Sequence, residues 1–189
     1  MFLSEAMELF LEEWYTAGIS VVRKYDLPVE AMLACAAEES GWGKGPIFQQ
    51  TLNPFNLQKW PHLLIPKTHK TYWRETIINT TTREKKKSPF NCAYSSEDAV
   101  RQWCEWILNY GNANSAPGNQ DPKASKVPKQ SAIRNRNALL RCRKNSIEFA
   151  RNLPLVGFGQ VHTPQARAKS GQGYTNIVQL YTKPFCQTK

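Results

Sequence analysis

Between positions 28 and 43 the chain reads Pro-Val-Glu-Ala-Met-Leu-Ala-Cys-Ala-Ala-Glu-Glu-Ser-Gly-Trp-Gly. Small and apolar residues occupy nearly every face of positions 29–37, so a helix formed here has no solvent side and must sit at the centre of the fold. Pro28 suits a first helical turn, where its missing N–H has no partner to lose. The helix then runs straight into two carboxylates before Ser40-Gly41-Trp42-Gly43 breaks it. Val29, Met32, Ala36 and Glu39 share one face, whereas Glu38 lies with Ala31, Ala34 and Cys35. The two carboxylates are therefore in different surroundings, and periodicity alone does not say which one meets a cleft.

On either side the pattern is helical. Met7, Phe10, Leu11, Trp14 and Ile19 recur at helical spacing and predict a first helix over 5–24. From 41 to about 94 this pattern stops. Thr71-Tyr72-Trp73-Arg74-Glu75-Thr76-Ile77-Ile78 has the composition of a strand, Asn79-Thr80-Thr81-Thr82 suits a turn, and Lys85, Lys86 and Lys87 suit a basic return arm. Ser95-Ser96-Glu97-Asp98 reads as a capped helix start, with Val100, Trp103, Cys104, Ile107 and Leu108 on one side. Residues 111–130 read as a loop. A further helix is expected over about 131–152 with Ile133, Leu139, Leu140, Ile147 and Phe149 in the core, and a terminal helix near Tyr174–Tyr181. The expectation is a mainly helical α+β fold, one domain over 1–189, with helical segments 1–58 and 95–189 and a β-hairpin lobe at about 59–94.

Charge is divided unevenly. Residues 1–40 hold two basic and eight acidic side chains; residues 41–189 hold 23 and seven, within an overall net charge of +10. So cationic a surface is drawn to polyanions such as cell wall, anionic lipid or nucleic acid. No run approaches the ~18–20 apolar residues of a membrane span, and no nucleic-acid recognition motif is present. The first basic residue, Arg23, follows Glu5, Glu8, Glu12 and Glu13, a pattern unlike an ordinary secretory leader. Cys35, Cys92, Cys104, Cys142 and Cys186 form no CxxC pair, and His62, His69 and His162 are scattered, so no metal site is expected. The odd cysteine count leaves at least one free thiol, and Cys35 reads as a small buried hydrophobe.

A carboxyl at the end of a dry helix, beside an aromatic and facing a cleft, is what a glycosidase general acid needs: burial disfavours the charged form and retains the proton near neutral pH. The motif Glu39-Ser40-Gly41-Trp42-Gly43 resembles the signature of glycoside hydrolase family 73, the endo-β-N-acetylglucosaminidases of bacterial cell walls. Asn53-Pro54-Phe55-Asn56-Leu57-Gln58, Phe90-Asn91-Cys92-Ala93-Tyr94-Ser95-Ser96, and Gly157-Phe158-Gly159 with Tyr174 resemble further family segments in the same order. The resemblance covers about residues 20–182. It implies a lysozyme-like helical domain with an inserted β-lobe flanking the cleft, with Glu39 as proton donor. It also implies a second carboxylate in the β-lobe. Glu75, on the strand face of Trp73, is the candidate and Glu84 its competitor. If neither serves, the N-acetyl group of the substrate is the remaining nucleophile. Trp42, Phe55, Trp73 and Tyr174 are candidates for a sugar-binding wall, with Asn56 as a polar partner. Asn56 stands where the family has Gly, and Phe158 where it has Tyr.

The resemblance implies hydrolysis of the β-1,4 bond between N-acetylglucosamine and N-acetylmuramic acid in peptidoglycan. The rivals are a lysozyme-like muramidase or phage lysin, and a non-enzymatic wall- or nucleic-acid-binding module. No cofactor is implied, because proton transfer and water attack need only side chains. A short basic hydrolase without wall-binding repeats is similar to the family's type VI secretion effectors, made in the cytoplasm and acting in a rival's periplasm. That resemblance implies an immunity protein occluding the cleft, and the cationic rim and loop 111–130 are the contacts expected here.

Overall fold

A computed structural model describes residues 3–58, 70–79, 84–110, 129–159 and 163–185. The chain is mainly helical with one small antiparallel sheet: α1 (Glu5–Lys24), α2 (Val29–Ser40), α3 (Pro46–Thr51), β1 (Thr71–Asn79), β2 (Glu84–Asn91), α4 (Ser96–Asn109), α5 (Lys129–Arg141), α6 (Ser146–Asn152), a 3-10 turn (Leu153–Val156) and α7 (Pro164–Phe185). This is the α+β class expected. No helix among the described residues is long and apolar enough to cross a membrane.

The absence of a polar face on α2 has the consequence expected of it. Every residue from Ala31 to Ala37 is fully buried, with α1, α6 and α7 packed around the helix. Aromatic rings tie the surrounding elements together. Trp14 of α1 meets Phe55 edge-on at 6.3 Å, Phe55 stacks on Trp103 of α4 at 5.7 Å, and Trp103 meets Phe149 of α6 at 6.4 Å. Such pairs add about 0.5–1.5 kcal/mol each beyond the area they bury. Ser95 caps α4 by accepting from the Asp98 N–H at 3.2 Å.

Three expectations are corrected. Within 41–94, where the helical pattern is expected to stop, Pro46–Thr51 form the short helix α3, with Pro46 in the first turn where it costs no hydrogen bond. The helix expected over 131–152 is two helices, because the Asn145 side chain accepts from the Ile147 and Glu148 N–H groups at 3.1 Å and starts α6 afresh. The terminal helix begins at Pro164 rather than near Tyr174. Residues 111–128 of the expected loop, and turn residues 80–83, lie outside the described residues. Cys35, Cys92, Cys104 and Cys142 are free thiols.

The strands pair with Trp73 opposite Pro89 and Glu75 opposite Lys87. The base of the hairpin is fixed to the segment after α3. The Asn91 N–H donates to the Leu57 carbonyl at 2.9 Å, the Ala93 N–H to Thr51 at 2.7 Å, and the buried Asn53 amide to the Asn91 carbonyl at 3.1 Å. That same segment carries Asn56 to the end of α2.

Candidate active site

The C-terminus of α2 is shaped by residues 40–43. Ser40, fully buried, donates its hydroxyl hydrogen to the Ala36 carbonyl at 2.6 Å and accepts from the Gly43 N–H at 2.9 Å. Gly41, Trp42 and Gly43 then take φ values of 56°, 58° and 78° in succession. Three left-handed residues in a row turn the chain sharply away, and the two glycines adopt that geometry without a Cβ penalty. The abrupt stop leaves Glu38 and Glu39 at the open end of a helix whose preceding turns are dry.

Glu39 is held from three directions. Its Oε1 accepts from the Tyr174 hydroxyl at 2.5 Å and from the Gly159 N–H at 2.7 Å. Its main-chain carbonyl accepts from the Asn56 amide at 2.5 Å. Burial pushes the carboxyl above its ordinary range, and the neighbouring charge of Glu38 pushes the same way. The hydrogen bonds from Tyr174, Gly159 and Asn56 oppose the rise without cancelling it. The Tyr174 phenol is driven far up by burial first and by Glu39 second, so it stays protonated and can donate.

Gly159, at φ 70°, owes its identity to space as well as to backbone. A Cβ there would lie 2.6 Å from Ser170 Cβ and 2.9 Å from the Tyr174 hydroxyl. A residue with a side chain would move the N–H off Glu39. Asn56 has φ 50°, a conformation asparagine tolerates better than most residues, so a glycine is not required at this turn.

Glu38 and Glu39 open into a cleft of about 690 Å³, lined also by Gly159, Lys169, Ser170, Gln172, Gly173 and Asn176. The opposite wall is therefore one face of α7, a helix whose first turns the sequence pattern does not reveal. Its run Gln165–Gly173, polar and broken by Gly171 and Gly173, gives almost no hydrophobic period. Gly159 likewise stands out in the sequence only as part of a motif; no pattern of side chains announces a backbone donor.

The aromatic candidates separate. Phe55 is 2% exposed and stacked on Trp103, so it has no face for a sugar. Tyr174 is fully buried, and its hydroxyl orients the acid instead of its ring stacking on substrate. Trp42 is half-buried with its ring edge-on to Phe10 at 6.1 Å and is not among the residues lining the cleft. Trp73, 55% exposed on β1, is the most open of the four and is not among the residues lining the cleft. Phe158 packs against Trp106 at 6.2 Å in the core. Glu75 is exposed and pairs with Lys85 at 3.6 Å; the structure does not bring it among the residues lining the cleft with Glu39. The Glu84 side chain lies outside what the structure describes.

No protein-family model matches the sequence, and no curated protein does. Solved structures match over nearly the whole chain. The catalytic domain of the autolysin Auto from Listeria monocytogenes is similar at a TM-score of 0.57 and 16% identity, covering 95% of this chain and 90% of that one. A peptidoglycan hydrolase from Sphingomonas sp. A1 is similar at 0.57 and 17%, covering 96% and 97%. A type VI secretion system effector–immunity complex from Pseudomonas protegens contains a chain similar at 0.52 and 16%, covering 93% of each. The chain therefore has the lysozyme-like α+β fold of the autolysin catalytic domain and the peptidoglycan hydrolase.

Proposed function

We propose that this chain is a peptidoglycan hydrolase of the glycosidase type, with Glu39 as general acid. The observation that carries the reading is the Glu39 carboxyl itself: raised by burial, open to a cleft, and held on one oxygen by two groups that donate there. The Gly159 N–H has no alternative to donation and the Tyr174 phenol stays protonated, so both accepting positions of Oε1 are taken. The acidic proton is thus left on Oε2. It passes from there to the glycosidic oxygen as the C1–O bond breaks, and water then adds at C1 with return of a proton to Glu39.

The bond we assign is the β-1,4 link between N-acetylglucosamine and N-acetylmuramic acid, cut on the reducing side of N-acetylglucosamine. The resemblance around Glu39-Ser40-Gly41-Trp42-Gly43 supports this choice, as does a fold shared with the autolysin and peptidoglycan hydrolase domains. Because the Glu75 carboxylate is exposed and paired with Lys85, the N-acetyl group of the substrate is the nucleophile we favour, with Glu84 its remaining competitor. Mass analysis of muropeptides from digested wall tests the assignment. New N-acetylglucosamine reducing ends with the wild type, and none with Glu39→Gln, are expected. N-acetylmuramic acid at the new ends would make it a muramidase, and undiminished lysis by Glu39→Gln would remove Glu39 as the acid.

The biological role we favour is that of an antibacterial type VI secretion effector acting in the periplasm of a target cell and neutralised by an immunity protein seated in the cleft. The effector–immunity complex among similar structures supports this reading, as does the net charge of +10 suited to an anionic wall. Co-purification with the product of an adjacent reading frame, and inhibition of wall lysis by it, are the expected results. Lysis unaffected by that product would count against the effector role while leaving the hydrolase intact.

A further inference from the structure

The cleft is asymmetric in charge. Its floor is the pair Glu38 and Glu39; its far wall is the face of α7 on which Lys169, Gln172, Gly173 and Asn176 recur at helical spacing. Gly173 lets Glu38 approach this wall closely, since a Cβ there would stand 3.2 Å from Glu38 Oε1. The Gln172 amide donates to Asn176 Oδ1 at 2.7 Å, fixing two amide groups side by side along the exposed edge. Lys169 is the one cation among the described residues lining the cleft, and it is exposed. Among the described residues it forms no ion pair with Glu38, Glu39 or any other carboxylate.

An unpaired ammonium facing a cleft whose floor is formed by the carboxyl groups of Glu38 and Glu39 is a selectivity element. A neutral sugar polymer needs only hydroxyl and amide partners, which Gln172 and Asn176 supply; a lysine adds attraction for an anionic substituent. Resting on the glycosidase reading, we propose that Lys169 forms an anionic subsite that binds a carboxylate carried by the glycan strand, so that the α7 face distinguishes acidic, substituted glycan from neutral N-acetylglucosamine polymer. The carboxylate has two possible sources in wall glycan: the stem peptide, or the lactyl group once the stem has been removed. Lysine serves either, because its compact charge on a flexible stem does not demand one planar geometry.

The test compares wild type, Lys169→Gln and Lys169→Arg on three substrates: intact peptidoglycan, amidase-treated glycan with free lactyl carboxylates, and neutral N-acetylglucosamine oligomers. Lys169→Gln is expected to raise KM about fivefold on at least one carboxylate-bearing substrate, the size of an ion pair in a solvated cleft. The change on neutral oligomers should be much smaller, and Lys169→Arg should recover most of the loss. Loss on intact wall alone identifies the stem carboxylate; loss on treated glycan identifies the lactyl group. Added salt should weaken wild type towards the affected substrate more steeply than it weakens Lys169→Gln. Binding of soluble fragments in a Glu39→Gln background gives the same comparison without turnover. An equal change on all three substrates, or none, would overturn the subsite while leaving Glu39 as the acid. Failure of wild type to cleave any wall glycan would overturn the underlying reading as well.

Discussion

Tyr174 of α7 and Glu39 of α2 are joined by a 2.5 Å hydrogen bond across 135 residues of chain, the phenol fully buried and the carboxyl lining the cleft. The bond does two things to the acid: it favours the ionised form, and it fixes which oxygen carries the proton. Replacing Tyr174 by Phe keeps the buried ring and removes both effects. With one stabiliser of the carboxylate gone, the Glu39 pKa rises further. The alkaline limb of the kcat/KM profile is expected to move to higher pH while its maximum falls by about tenfold to a hundredfold, the range of a misplaced acid–base group. A pH–rate profile of Tyr174→Phe beside wild type measures both. A loss of activity with no movement of the limb would mean the phenol does not act through Glu39.

Removing the carboxyl should leave a signature in stability. Glu39 is pushed above its ordinary 4.5 in the folded protein, so the folded chain binds a proton that the unfolded chain has begun to release. Stability associated with this group is complete below about 4.5 and declines as pH rises from there through the folded pKa. Glu39→Gln stays neutral throughout and lacks that decline. The melting temperature of Glu39→Gln relative to wild type is therefore expected to increase from about pH 4 to about pH 7, while hydrolysis falls by at least about a hundredfold. Thermal melts at the two pH values, on protein whose activity is measured in parallel, check the sign.

Gly159 supplies a backbone donor that no other residue type fits. Gly159→Ala places its Cβ 2.6 Å from Ser170 and 2.9 Å from the Tyr174 hydroxyl, and adds the strain of an L residue at φ 70°. Displacement of the N–H and of the Tyr174 hydroxyl are both expected. The variant should lose about 1–3 kcal/mol of stability and most of its activity. Denaturant unfolding and wall lysis read the two separately. Ordinary melting with full activity would show that the loop yields without disturbing Glu39.

Legibility in the sequence tracks the strength of local signals. An apolar surface all round α2, the capped start at Ser95, and the strand composition of Thr71–Ile78 each leave one physical outcome, and the structure has them. The break at Asn145 goes unread, because the hydrophobic spacing of Leu139, Leu140, Ile147 and Phe149 carries the helical pattern across it. α7 is not legible in its first turns, because a helix that walls a polar cleft needs hydrophilic and small residues where periodicity looks for apolar ones. Aromatic residues mislead for a related reason. Phe55 and Tyr174 carry rings suited to sugars, yet burial is the commoner use of such rings, and only the packing shows that Tyr174 contributes its hydroxyl.

Two of the other carboxylates, Glu75 and Glu38, separate in opposite directions. Glu75 is solvated on β1 and paired with Lys85 at 3.6 Å, and exposed pairs of this kind contribute little to stability. Glu75→Gln is therefore expected to retain activity within about threefold of wild type, since among the described residues it does not line the cleft; the loss of a true base or nucleophile would cost about a hundredfold or more. Glu38 lines the cleft and its charge raises the Glu39 pKa. Glu38→Gln removes that repulsion, so the Glu39 pKa falls and the alkaline limb of the rate profile moves to lower pH, opposite to the movement expected for Tyr174→Phe. Measuring kcat/KM against pH for both variants distinguishes the cases. A collapse of activity in Glu75→Gln with melting unchanged would require the hairpin to bring its carboxylate to the cleft during turnover, and would replace the substrate's N-acetyl group with Glu75 as the partner of Glu39.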